Sequence, residues 1–104
     1  IKEISFVEEM DGFYSNRWLS TILISKDSKA NREDVRLHLG KDNIEARPLW
    51  KPMHQQPIFK HCLSFGGDNS EYLFQYGLCL PSGSNMSDQD LNRIVTKIKE
   101  AFEN

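Results

Sequence analysis

Arg47-Pro48-Leu49-Trp50-Lys51-Pro52-Met53-His54-Gln55-Gln56-Pro57-Ile58-Phe59 holds three of the four prolines and one of the two tryptophans of a 104-residue chain. Proline fixes φ and offers no N–H, so Pro48, Pro52 and Pro57 exclude a continuous helix or a central strand here. The residue before each proline is pushed towards extended geometry. The segment is predicted to be a stiff, mostly extended loop. It carries a guanidinium, an indole, an ammonium, an imidazole and two amides. Rigid loops with such side chains are where binding sites tend to form. The structural alternative is a connector whose Trp50 and Phe59 plug a core.

Working upstream, Asn43 to Ala46 reads as a short strand feeding the proline segment. Asn31 reads as the N-cap of a helix over Arg32 to Leu39, with Val35 and Leu39 on one face and Glu33-Asp34 in the first turn. Gly40 suits the C′ position. His38 reads as surface polar rather than as a ligand. Before it, Trp18-Leu19-Ser20-Thr21-Ile22-Leu23-Ile24 is the strongest strand signal, rich in β-branched and aromatic residues. Its imperfect alternation suits a central strand covered on both faces. A strand–helix–strand return places the proline loop at a strand's carboxyl end, where ligands commonly sit. Ile4 to Val7 could be a strand, and Asp11-Gly12 marks a turn in the exposed stretch Glu8 to Ser15.

Downstream, Phe59 to Phe65 is ambiguous. Gly66-Gly67-Asp68-Asn69 is a turn, and Asn69 can cap a helix over Ser70 to Tyr76 whose apolar face is Tyr72, Leu73 and Tyr76. Gly77 closes it. The glycine pair lacks the spacing and the Lys-Ser/Thr end of a phosphate loop. Leu78-Cys79-Leu80 is a short strand stopped by Pro81. Ser87 with Asp90 resembles a capping box. Leu91, Ile94, Val95, Ile98 and Phe102 then form a helical stripe over Asp88 to Phe102, about 22 Å long, which is expected to be core rather than a partner surface. The architecture expected is a two-layer α+β domain, a short and mainly antiparallel sheet covered by helices on one face.

The length allows one small domain with one core. The formal net charge is −2, which leaves no electrostatic footprint for nucleic acid or an anionic membrane. There is no apolar run near the roughly 20 residues of a membrane span. Ile1-Lys2-Glu3-Ile4-Ser5 has no signal-peptide core, and the lack of a starting methionine suggests a piece of a longer chain. Cys62 and Cys79 read as two reduced thiols of a cytoplasmic protein, with neither disulfide nor metal spacing.

The Arg-Pro-Leu-Trp-Lys-Pro-Met-His-Gln-Gln-Pro-Ile-Phe segment at 47–59, followed by Gly-Leu-Cys-Leu-Pro-Ser-Gly at 77–83, resembles the C-terminal part of the DegT/StrS sugar aminotransferases. The resemblance runs from about Asn16 to the end of the chain. It implies a pyridoxal-phosphate enzyme that transfers an amino group, from glutamate, to a nucleotide-linked keto-sugar for bacterial cell-surface glycans. It implies that residues 1–104 are the C-terminal small domain of a fold-type I enzyme. The cofactor-binding large domain would precede it, and the site would be shared across a homodimer boundary.

By this resemblance, Arg47, Trp50, Lys51 and His54 lie near the substrate. Trp50 is suited to cover a sugar or cofactor ring, Arg47 and Lys51 to meet phosphate or carboxylate, and His54 to bond a hydroxyl. Many family members carry histidine and tyrosine where Leu49 and Trp50 stand. Asn16 could face the cleft, though a turn role capping the strand suits it better. Three of these residues have a structural alternative: Arg47 pairing with Glu45, Trp50 as a core plug, His54 tying down loop carbonyls. Gln55 and Gln56 read as loop polars.

A transaminase needs a Schiff-base lysine, an acid at the pyridinium nitrogen and a phosphate cradle. Lys26, Lys29, Lys41, Lys51, Lys60, Lys97 and Lys99 all sit in surface-like contexts. The segment alone is therefore expected to have no catalytic residue, no metal, and no pyridoxal phosphate of its own. A free-standing α+β module that binds carbohydrate or peptide is the alternative from a different class.

Overall fold

A computed structural model describes residues 1–103. Four strands, β1 (Ile4–Phe6), β2 (Ser20–Ile24), β3 (Arg47–Pro48) and β4 (Gly77–Leu80), form one sheet in the order β1-β2-β4-β3. Every neighbouring pair is antiparallel. β2 and β3 therefore run the same way with β4 between them, and helix α1 (Arg32–Lys41) makes the crossover. Helix α2 (Asp68–Tyr76) precedes β4, and α3 (Asp88–Glu103) closes the chain.

One face of the sheet and two helices make the core. Ile22, Ile24 and Leu78 from the strands meet Val35 and Leu39 of α1 and Ile94 and Ile98 of α3, all nearly sealed from solvent. This is the expected two-layer α+β arrangement. On β2, Thr21 and Leu23 are half-buried, so the second face is only partly covered.

The helix ends follow local chemistry. Asn31 accepts from the amides of Glu33 and Asp34 while Asp34 accepts from the Asn31 amide, a complete capping box. Gly40 is not the C′ residue. The helix runs through it to Lys41, and Asn43 takes the left-handed turn at φ 56. The Asn43 N–H bonds Gly40 C=O and the Ile44 N–H bonds Leu39 C=O, both at 3.1 Å, which is the Schellman pattern with asparagine in the glycine place. That turn consumes the start of the expected Asn43–Ala46 strand. Ile44 and Ala46 drop into the core, and pairing begins only at Arg47. A Cβ on Gly40 would meet nothing within 4 Å. Gly40→Ala should then stabilise the fold by about 0.8–1 kcal/mol, read in thermal melts.

At α3, the Ser87 N–H and O–H both donate to Asp90 Oδ2 at 2.9 and 2.6 Å, and the Asp90 N–H returns to Ser87 Oγ at 3.2 Å. These bonds hold the Asp90 carboxyl below the ordinary aspartate value. A depressed folded pKa means the stabilisation is complete above the unfolded value and is lost as pH falls through the folded one. Amide signals of residues 88–91 should therefore show an acid step below the ordinary aspartate range, and Asp90→Asn should abolish it.

Three further expectations are corrected. The strand at Trp18 starts two residues late. Arg17 sits at φ 53 and Asn16 Oδ1 accepts from the Trp18 amide at 3.0 Å, a turn that leaves Trp18 exposed. Helix α2 starts at Asp68, capped by Gly67 at φ 116 rather than by Asn69, and none of its residues is buried. The α3 stripe is only half core. Leu91 and Val95 are 51% and 40% exposed and border an open apolar groove with Ile1, Ile4 and Phe6.

The radius of gyration is 15.3 Å, against about 13 Å for a compact chain of this length. Two long connections lie outside the strands and the three α-helices, one joining β1 to β2 and the other running from Leu49 to Gly67. The strand registers send them from opposite ends of the sheet. Met10, Phe13, Tyr14 and Trp18 on the first, and Trp50, Ile58, Leu63 and Phe65 on the second, are exposed.

Candidate functional site

The proline segment is less extended than expected. Only Arg47 and Pro48 join the sheet, and Pro48 is tolerated because β3 is an edge strand. Met53–Gln55 and Pro57–Phe59 are single 3-10 turns, the second with proline in its first position.

Two glycines seat the segment. The Leu49 N–H bonds Gly77 C=O at 3.4 Å. The Leu49 side chain lies so close to Gly77 that a Cβ there would stand 2.0 Å from Leu49 Cδ1 and 2.3 Å from Leu73 O. The His54 ring lies on Gly67, where a Cβ would stand 2.8 Å from Cε1. Gly67 and Gly77 flank α2, so the loop is pinned at both ends of that helix. His54 Nε2 adds a 2.6 Å bond to Glu71 Oε1 in the first turn of α2. That bond, opposed by partial desolvation and supported by Gln55, holds the Glu71 carboxyl below the usual glutamate range.

Between the pins, Pro52 is buried while Trp50 and Lys51 face outward, the indole 70% exposed. Trp50 does not plug the core. Lys51 C=O accepts from Gln56 Nε2 at 3.3 Å, which stiffens the bend beneath it. His54 is tied to a carboxylate and not to loop carbonyls. Helix α2 is itself held down by Arg32, whose guanidinium stacks 4.5 Å over the Phe74 ring and donates to Phe74 C=O.

Arg47 stands apart from the other three. Its guanidinium bonds Glu45 Oε1 at 2.5–2.7 Å and lines an open cavity of about 430 Å³ with Cys79, Ser82, Asp90 and Arg93. Trp50, Lys51 and His54 do not line that cavity. An exposed ion pair of this kind is weak, so Arg47 can exchange Glu45 for a ligand anion at small cost. Cys79 is buried, which raises its thiol pKa, and Cys62 is exposed; both are free.

Sequence reasoning missed Leu49, Gly67, Glu71 and Gly77 as parts of this site. Gly67 was legible only as a turn residue and Gly77 only as a helix stop. Glu71 stands seventeen positions from His54 with no local pattern joining them.

The chain matches the DegT/DnrJ/EryC1/StrS aminotransferase family over residues 1–99. EpsN of Bacillus subtilis (strain 168), assigned by name to the pyridoxal phosphate-dependent aminotransferases, is 39% identical over 103 residues, covering 95% of this chain and 26% of EpsN. GDP-perosamine synthase of Vibrio cholerae is 28% identical over 98 residues, covering 91% of this chain and 26% of the synthase. The crystal structure of a DegT DnrJ EryC1 StrS aminotransferase from Brucella abortus has the same fold, with a TM-score of 0.79 at 24% identity, over 99% of this chain and 27% of that one. The chain thus spans about a quarter of the length of these relatives. The match along nearly all of its length shows that the protein belongs to the DegT/DnrJ/EryC1/StrS aminotransferase family.

Proposed function

We propose that these residues are the C-terminal small domain of a pyridoxal-phosphate aminotransferase that transfers an amino group from glutamate to a nucleotide-linked keto-sugar in cell-surface glycan synthesis. The observation that carries this reading is the pinned loop, which holds an indole and an ammonium out to solvent on a stiff, two-point support. A planar ring held this way can cover a sugar at little entropic cost. Lys51 meets a phosphate of the nucleotide, His54 bonds a sugar hydroxyl, and the loosely paired Arg47 offers its own cavity to a further anionic group of the substrate. The relative named for GDP-perosamine synthesis supports a nucleotide-sugar as the substrate class.

The residues present do not fit the cofactor. All described lysines are exposed except Lys97, whose ammonium pairs with Glu100 at 2.8 Å and Asp42 at 3.4 Å, so that its pKa is raised. A Schiff-base lysine needs the opposite shift. Pyridoxal phosphate, which supplies the electron sink for amino transfer, is therefore held by another part of a longer protein. That protein acts as a cytoplasmic homodimer with the site shared between subunits. Among the described residues, no helix is long and apolar enough to cross a membrane.

The test incubates the intact protein with pyridoxal phosphate, glutamate and a panel of nucleotide-linked keto-sugars, and follows the amino-sugar by mass spectrometry. Amination of at least one is expected, while residues 1–104 alone should develop no pyridoxal-phosphate absorbance band. Failure on every keto-sugar, with carbohydrate or peptide binding by the short chain alone, would sink the reading.

A further inference from the structure

His54 gives one ring nitrogen to Glu71 and keeps the other free. Nε2 lies 2.6 Å from Glu71 Oε1. Glu71 is held ionised by that contact, and an ionised carboxylate only accepts, so Nε2 carries the hydrogen. In a neutral imidazole the other nitrogen is then a bare acceptor. Nδ1 makes no hydrogen bond among the described residues. Nor is it sealed: it is not among the buried side-chain atoms that lack a hydrogen bond, and the His54 side chain is 24% exposed. The ring has little room to turn, because it lies on Gly67. The Glu71 N–H bonds Gly67 C=O at 2.9 Å, so carboxylate and seat belong to one helical turn.

We propose that Glu71 is a positioning residue that fixes the Nε2–H tautomer of His54, leaving Nδ1 to accept a hydrogen bond from a hydroxyl of the sugar held on the Trp50 loop. The hydroxyl part rests on the sugar reading above; the tautomer part does not. The ligand class is a polyol with a hydroxyl donor in reach, and a phosphate or carboxylate oxygen would not suit a bare acceptor.

The test uses the intact protein with 15N-histidine, in alkaline buffer in which the nitrogen shifts show neutral rings. His54 is assigned as the signal lost in His54→Gln. Long-range proton–nitrogen spectra should show His54 as a single Nε2–H tautomer. Glu71→Gln, which keeps the side chain's size but can donate or accept, should give a mixture. A mixture or an Nδ1–H form in the wild type overturns the assignment. In steady-state assays Glu71→Ala should raise KM for the keto-sugar about tenfold, the loss expected for one hydrogen bond, with a smaller change in kcat. A shifted tautomer with unchanged KM overturns the hydroxyl contact. If the wild type aminates no nucleotide-sugar, the functional reading fails and the hydroxyl contact with it, whereas the spectrum still decides the role of Glu71.

Discussion

Gly77→Ala should lower the stability of the chain by about 3 kcal/mol, the upper end for forcing atoms into a filled space. The new Cβ would stand 2.0 Å from Leu49 Cδ1 and 2.3 Å from Leu73 O. The leucine tip can swing away. The carbonyl cannot, because Leu73 O accepts the Gly77 N–H that ends α2. Backbone strain plays no part, since Gly77 sits at φ −91, open to any residue. A melting point lower by roughly 12–24 °C follows. Leu49→Ala in the same chain should recover only part of the loss, leaving a coupling above about 0.5 kcal/mol. Gly40→Ala, the same chemical change where nothing lies within 4 Å, should move the melting point the other way. A Gly77→Ala melting point within about 2 °C of wild type would mean that neither the Leu73 carbonyl nor Leu49 closes on Gly77 as described.

Trp50→Ala in the intact protein should reduce kcat/KM for the sugar by roughly 30-fold, or about 2 kcal/mol for the lost ring contact. On the proposed function the cofactor is held elsewhere in the protein, so its loading should stay within about twofold. The melting point should barely move, since the indole is 70% exposed and supports no core. Arg47→Ala should likewise hurt sugar turnover more than cofactor loading, because its ion pair with Glu45 is exposed and easily exchanged. Equal loss of sugar turnover and cofactor loading in Trp50→Ala would assign the tryptophan to folding and remove the loop from the site.

The reach of sequence reasoning follows the range of each interaction. Asn31 as a cap and Ser87 with Asp90 were legible because a cap closes within three residues. Val35 with Leu39, and Ile94 with Ile98, were legible because helical spacing puts them on one face. The end of α1 was misplaced because asparagine can take the left-handed turn that glycine usually fills, and only the backbone shows which residue does so. Leu91 and Val95 carry the same periodic signal as their buried neighbours. What separates them is whether another element covers that side, and periodicity does not record this.

The candidate site divides in the same way. That the segment from Arg47 to Phe59 could be neither helix nor central strand, and that it displays ring, cation and imidazole together, follows from three prolines and the residues between them. Where those groups point was decided by contacts across the chain: Leu49 on Gly77, His54 on Gly67 and Glu71, and Arg47 turned to a cavity beside α3. Composition and local propensity act over a few residues and so determine elements and their ends. The partners of Leu49 and His54 lie thirteen or more positions away, and only the packing of sheet, helix and loop brings them together.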